Sequence, residues 1–381
     1  MKFIHIGCWN YQDFSNSNVE KSLNNYVENY FKENDFIVIA GDNYYPNIEK
    51  YDSTTIKWID ADKFISGLNS MPQVPTKYLL FGNNDINDET IIDPENKDKL
   101  VNIFKESAGF DSYKNITENI NKMTTCRLAD IELLYTKIPE KNYKIYDGVQ
   151  LVTCNKNLVI MIDTSIYDND INIKNVQCYK RILNKDYTKD LTLDELIIEQ
   201  NNKIKEIIDE HISNLNNIII IGHHPMCSMK TVNSENECYF NDKLIDVFRF
   251  ISKIIKNNKI SVNVTYLCSH THMYQCSEIN IDDIIIKQYI CGCGGATLDN
   301  LSKDIANKKD SNYEIIIKHS DIYFKITELV NNTYGYLIVT LPEGDNDLKI
   351  EFNKVKEIPT INHEKKHLKY KQKYLLERDK N

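Results

Sequence analysis

The chain has 381 residues, of which 41% are hydrophobic and 27% charged, with a formal net charge of −9. That length buries a large core as one big domain or two, and the acidic balance argues against a broad nucleic-acid-binding face, which needs a basic stripe. No apolar segment reaches membrane-spanning length and no secretory leader follows Met1, so the expectation is a cytoplasmic protein whose ten cysteines, scattered without paired spacing, stay reduced.

Residues 3–6 form a brief apolar run ending at Gly7, and 36–40 form a second ending at Gly41; both read as buried strands feeding a loop. Between them, 19–33 has helical spacing, with Leu23, Tyr26, Val27, Tyr30 and Phe31 on one side. Strand, helix, strand opens a parallel sheet. Residues 58–68 are the next helix and 77–81 the third strand, ending in Gly82. The stretch 87–150 is polar and tyrosine-rich, with one helix at 99–106, and reads as an insertion over the edge or face of the sheet.

Strand patterns return at 151–153 and 158–163, and a helical pattern covers 193–215. The pure apolar run 218–221 leads into Gly222, helix 244–255 leads to strand 262–268, and strand 284–290 ends in the glycine-rich CGCGG at 291–295. Residues 334–341 and 348–352 flank a turn and read as a hairpin. No boundary splits the chain, so one domain is expected over 1–357, followed by a charged tail at 358–381. The abundance of Asn, Ile, Lys and Tyr is the bias of AT-rich coding, as in giant DNA viruses and AT-rich protists.

Five clusters recur at the ends of these runs: GCWN (7–10), GDNYY (41–45), GNND (82–85), GHHP (222–225) and SHTH (269–272). A pair of metal ions needs one carboxylate that bridges, with amide and imidazole donors and, as an optional further ligand, a phenolate, all held on rigid strand ends. Asp42, Tyr45, Asn83, His223, His270 and His272 supply that set. In open α/β sheets the ligand crevice lies beyond the carboxyl ends of the strands, which is where these clusters fall.

In this order the clusters resemble the calcineurin-like metallophosphoesterase superfamily and, within it, the purple acid phosphatases of the small, tartrate-resistant type. The resemblance rests on GDNYY against that branch's GDNFY, IIIIGHHP against its VVGHxP and LCSHTH against its LCGHDH. It extends to Ile162-Asp163-Thr164, the CGCGG loop and the closing hairpin. It implies a β-sandwich of two mixed sheets flanked by helices, a four-layer α/β/β/α fold. It also implies two transition-metal ions (iron, zinc or manganese) and hydrolysis of phosphate esters carried by a small molecule or a phosphoprotein. By position, the first metal takes Cys8, Asp42, Tyr45 and His272, and the second takes Asp42 as bridge with Asn83, His223 and His270.

Three departures fall on chemistry. The family has aspartate at Cys8, histidine at Asn84, and a histidine after His223 where Val232 stands. Cys8 reads either as a thiolate ligand that softens the first site or as a small apolar plug. Asn10 is a poorer substitute donor nearby. Asn84 still donates a hydrogen bond to phosphate but cannot shuttle a proton, and His224 is the stand-in acid or a buried supporting histidine. His5, His211 and the pair Cys291 and Cys293 read as core or surface residues.

Two rivals remain. The segment HEKKH (363–367) matches the HExxH zinc-protease motif, but its polar flanks and neighbouring lysines favour a solvated helix. The second is a catalytically inactive scaffold of the same fold that binds partners. No sequence feature sets the oligomeric state.

Overall fold

The computed structural model describes residues 1–11, 14–43, 51–52, 57–58, 61–86, 142–168, 192–232, 235–299, 301, 315–343 and 347–355. Tyr45, the helix expected at 99–106, most of the expected insertion and the tail with its HEKKH segment lie outside these residues.

In chain order the elements are β1 (Lys2–Ile6), α1 (Asn18–Tyr30), β2 (Phe36–Ala40), the two-residue strands β3 (Tyr51–Asp52) and β4 (Lys57–Trp58), α2 (Ala61–Ser70), β5 (Thr76–Leu80) and the single-turn α3 (Asn83–Ile86). There follow β6 (Tyr143–Ile145), β7 (Gln150–Cys154), β8 (Asn157–Met161), α4 (Leu193–His211), β9 (Asn217–Ile221), β10 (Cys227–Val232) and β11 (Glu235–Phe240). The last are α5 (Asp242–Asn257), β12 (Asn263–Cys268), β13 (Tyr274–Ile281), β14 (Ile284–Cys291), β15 (Ile315–His319), β16 (Ile322–Val330), β17 (Tyr334–Thr340) and β18 (Lys349–Val355).

Two mixed sheets form the centre. One has six strands in the order β18-β17-β1-β2-β5-β6, and the other eight in the order β15-β16-β13-β14-β12-β9-β8-β7. In the first, β1, β2, β5 and β6 run parallel; in the second, β8, β9, β12 and β14 do. Of the parallel strands, β2 (FIVIA) and β9 (NIIII) are buried at every residue, as near-continuous apolar runs are where both faces of a strand are covered.

Helices close the outer faces, giving the four layers. α1 starts at Ser17, whose hydroxyl accepts from Glu20 N at 3.0 Å, and it lays Val19, Leu23 and Val27 inward. It meets the six-stranded sheet through Tyr26 against Tyr336; α2 meets that sheet where Tyr143 donates to Leu68 O at 2.7 Å. α4 opens with a capping box between Thr192 and Glu195. α5 presses Phe248 on Tyr266 of the eight-stranded sheet. No helix among the described residues is long and apolar enough to cross a membrane.

The structure adds elements that the apolar pattern misses. β13 (YQCSEINI) alternates poorly because Gln275 and Ser277 are buried polar residues; Gln275 is satisfied by the backbone of Met229, accepting from its N at 3.2 Å and donating to its carbonyl at 2.5 Å. β15, β16 and the β10–β11 hairpin are also additions. β6, in the last part of the stretch 87–150, is an edge strand of the six-stranded sheet.

Candidate metal centre

The parallel strands of both sheets deliver their following loops to one place. Cys8 follows β1, Asp42 follows β2, Asn83 follows β5, His223 follows β9 and His270 follows β12. The ligand atoms of Cys8, Asp42 and His223 lie within 4.8 Å of one another, as do those of His223, His224 and His270. Cys8 Sγ points at Asp42 Oδ2 from 3.8 Å.

The backbone is bent sharply to bring them there. Cys8, Asp42 and His270 have positive φ of 49°, 54° and 58°, a conformation that costs a residue bearing a Cβ about 1–2 kcal/mol. Strain of that kind concentrates at functional sites. Gly41, with φ +82°, also has no room for a side chain, since a Cβ would sit 2.6 Å from His223 Nδ1.

Protons decide what the cluster can hold. His223 Nδ1 lies 2.8 Å from the carbonyl oxygen of Ala40, an acceptor only, so the ring hydrogen is on Nδ1. Burial, only partly opposed by Asp42, pushes the His223 pKa down to about 4, so the ring is neutral and Nε2 offers a lone pair. That lone pair faces Asn83 Oδ1 at 3.1 Å and Asp42 Oδ1 at 3.3 Å. Burial by itself raises the Asp42 carboxyl, but attraction to His223 and His270 and hydrogen bonds from Asn84 outweigh it and hold the group at about 2.

With the Asn83 amide turned oxygen-inward, a neutral nitrogen, an amide oxygen and a carboxylate oxygen converge with no hydrogen on any of the three. They repel one another unless a cation lies between them, so this donor set fits a metal ion. His270 completes it: Nδ1 is 3.0 Å from Asn83 Oδ1, and burial, then repulsion from His224 and His223, puts its pKa well below the usual imidazole value.

His272 stands at the edge, outside both clusters, half-buried. Its Nδ1 faces the Thr297 carbonyl at 2.8 Å, which puts the ring hydrogen there and leaves a lone pair on Nε2, the tautomer of a metal-binding histidine. Asn84 donates from Nδ2 to Asp42 Oδ2 at 2.8 Å and from its backbone N to Oδ1 at 3.0 Å. His224 is fully buried, with its ring centroid 4.8 Å from that of His270. Thr164 Oγ1 accepts from the backbone N of His223 and of His224 at 2.9 and 2.8 Å, so its own hydrogen serves His224 Nδ1 at 3.1 Å. The His224 proton is therefore on Nε2, 3.3 Å from Asp168 Oδ2.

Asn10 donates to Asn43 O at 3.1 Å, and packs its oxygen beside Gly67. Val232 lies at the end of β10 and pairs with Glu235. His5 is fully buried in β1, His211 bonds the carbonyl of Ile207 at 2.9 Å, and Cys291 and Cys293 are buried with sulfurs 3.8 Å apart.

Sequence reading gives no role to Asn43, Asp85 or Asp168. Asp85 is fully buried and accepts from Gly82 N at 2.8 Å, Asn43 N at 3.0 Å and Asn43 Nδ2 at 3.1 Å. Asn43 in turn accepts from Trp9 Nε1 at 3.0 Å. These two residues tie the first three loops together. The available signal is a carboxylate two residues after Asn83, where the side chain can turn back on the preceding backbone N–H groups.

Residues 1–274 match the calcineurin-like phosphoesterase family, a span that includes all five clusters. No curated protein matches the chain. Among solved structures it is similar to one described as "GAP50 the anchor in the inner membrane complex of Plasmodium", at 14% identity and a TM-score of 0.46 over 95% of this chain and 87% of that one. It is also similar to PhoD, at 12% identity and a TM-score of 0.48 over 94% of this chain and 72% of that one.

Proposed function

This chain belongs to the calcineurin-like phosphoesterase family, and on that premise we propose that it hydrolyses phosphate esters at a centre of two transition-metal ions. The carrying observation is the hydrogen-free convergence of His223 Nε2, Asn83 Oδ1 and Asp42 Oδ1. Asn83, His223 and His270 would hold one ion and Cys8, Tyr45 and His272 the other, with Asp42 shared between them. The ions would be iron, zinc or manganese, and the GDNYY sequence that includes Tyr45 supports the tartrate-resistant purple acid phosphatase branch. When bound, such a pair supplies positive charge to a phosphoryl oxygen and a water acidified towards neutral pH.

The chain's own residues supply position and protons. Asp42 is ionised throughout the working range and fixes the carboxamide of Asn84. An amide nitrogen carries two hydrogens, and Asn84 gives the other to a phosphate oxygen. Hydrolysis of an ester whose leaving group has a high pKa also requires a proton on the leaving oxygen. His224, whose Nε2 lies 3.3 Å from Asp168 Oδ2, is the candidate donor in place of the family's missing histidines. A leaving group of low pKa needs no such donor, so activated esters are the best substrates.

The substrate is a phosphorylated small molecule or a phosphoprotein, handled by one domain spanning 1–357 whose insertion at about 87–150 sets specificity. The setting is cytoplasmic, a reading supported by free thiols at all eight described cysteines. A second reading, a binding protein that keeps the fold without turnover, is favoured by Cys8, whose sulfur replaces the family's carboxylate and points at Asp42.

One experiment separates them. Protein purified without chelator is assayed for metals by elemental analysis and for hydrolysis of p-nitrophenyl phosphate, beside Asp42→Asn. Bound metal and turnover, both largely lost in the variant, are expected; a ferric ion on Tyr45 adds a visible band that vanishes in Tyr45→Phe. Bound metal without turnover selects the binding protein, and a folded chain indifferent to added zinc, manganese or iron refutes both.

A further inference from the structure

A cavity of about 420 Å³ opens between α4, the turn after β8 and the loop joining β6 to β7, and none of the described candidate metal ligands lines it. Its size is that of a small-molecule site. Val149, Ile166 and Leu196 make apolar walls, while Asp163 and Gln200, both more than nine-tenths buried, also line it.

The polar lining is built rather than incidental. Gln200 Oε1 accepts from Tyr146 Oη at 2.7 Å and from Asp163 N at 3.0 Å, and its Nε2 donates to Asp163 O at 2.9 Å and to Tyr167 Oη at 2.7 Å. Asp163 Oδ1 accepts from Ser165 N at 2.8 Å, which fixes the carboxylate beside the cavity.

The charge is one-sided. Among the described residues, Asp147, Asp163, Glu199 and Glu206 line the cavity against a single Lys203, and Lys203 is engaged by Glu206 at 3.1 Å. Such a lining repels a phosphorylated molecule, so the cavity is not an extension of the phosphoester site. Apolar walls between separated carboxylates also suit a bare metal ion poorly, since calcium and magnesium take oxygen donors all round.

We propose that this cavity binds an aliphatic diamine. One ammonium meets the buried Asp163, the methylenes lie along Val149, Ile166 and Leu196, and the other ammonium meets the exposed carboxylate of Glu199. The two ends demand charge and the middle demands carbon, so a neutral chain of equal length does not substitute.

The test is calorimetric titration of the full chain with 1,4-diaminobutane dihydrochloride, beside 1,4-butanediol and magnesium chloride. One saturable diamine site is expected, with the diol and magnesium at least about tenfold weaker, the scale of a hydrogen bond to a charged group. Asp163→Asn keeps an oxygen for Ser165 N and weakens the diamine about tenfold; Val149→Trp fills the cavity with its charge unchanged and abolishes binding. Circular dichroism checks each variant, and Glu199→Gln on the exposed face of α4 replaces any that fails to fold. Absence of saturable diamine binding, equal binding of the diol or magnesium, or indifference to the folded variants overturns the proposal.

Discussion

Replacing His5 by leucine tests whether an imidazole without hydrogen bonds lies in the core beneath the metal centre. Among the described residues no other residue offers either buried ring nitrogen of His5 a hydrogen bond, and burial first, then the neighbouring His223, outweighs the histidine's own backbone and pushes its pKa down from 6.5 to about 3. The folded pKa lies below the unfolded one. Between these values the unfolded chain takes up a proton that the folded chain refuses, so stability is complete above about 6.5 and is lost as pH falls towards 3. At about 1.4 kcal/mol per pH unit, the full window is worth about 5 kcal/mol.

Leucine has about the same volume and no titrating group, so His5→Leu removes this loss. Urea unfolding from pH 7 to pH 4, with chelator present so that metal binding adds nothing, reads it directly. The variant should match or exceed the parent at pH 7 and lose less stability per pH unit below 6, by up to about 1.4 kcal/mol. His223 and His270 titrate in both proteins, so the difference isolates His5. Parallel curves, or a variant weaker by more than about 2 kcal/mol at pH 7, the cost of breaking a made hydrogen bond, would refute the reasoning.

Restoring Cys8→Asp with Asn84→His should raise aryl-phosphate hydrolysis by about 10² or more, with a larger gain on alkyl esters, which depend on a proton donor; a metal-loaded double variant that stays inactive favours the binding protein. Asp85→Ala leaves buried N–H groups of Gly82 and Asn43 without their acceptor, and should cost about 3 kcal/mol or more by urea unfolding while weakening zinc binding measured by titration. Asp85→Asn keeps one acceptor oxygen and should recover part of both losses.

The five clusters were legible because each sits where an unbroken apolar strand stops, and burial on both faces makes such strands stand out. The same principle explains what was missed. β13 holds Gln275 and Ser277 in the core by hydrogen bonds that no hydropathy pattern registers, and the strand was not seen. The candidate ligands could be named from residue type and order, but the tautomer of His223 depends on the carbonyl of Ala40, which belongs to the other sheet. Asp168 carried no sequence signal at all, because its link to His224 exists only after β8 and β9 pair. The division of labour between Asn43 and Asp85 was likewise invisible: two common turn residues become a clamp only when three loops meet.

The donors come from distant parts of the chain: His223 reaches Ala40 across 183 residues, and Asn83 across 140 and 187 residues to His223 and His270. During synthesis the amino-terminal half leaves the ribosome first, bringing Cys8, Asp42 and Asn83 but no histidine of the centre. That half offers an incoming metal only a partial set of donors. On the proposed reading the full set exists once the second sheet has formed and docked, so stable loading would be a late checkpoint, passed only by chains that have completed both sheets.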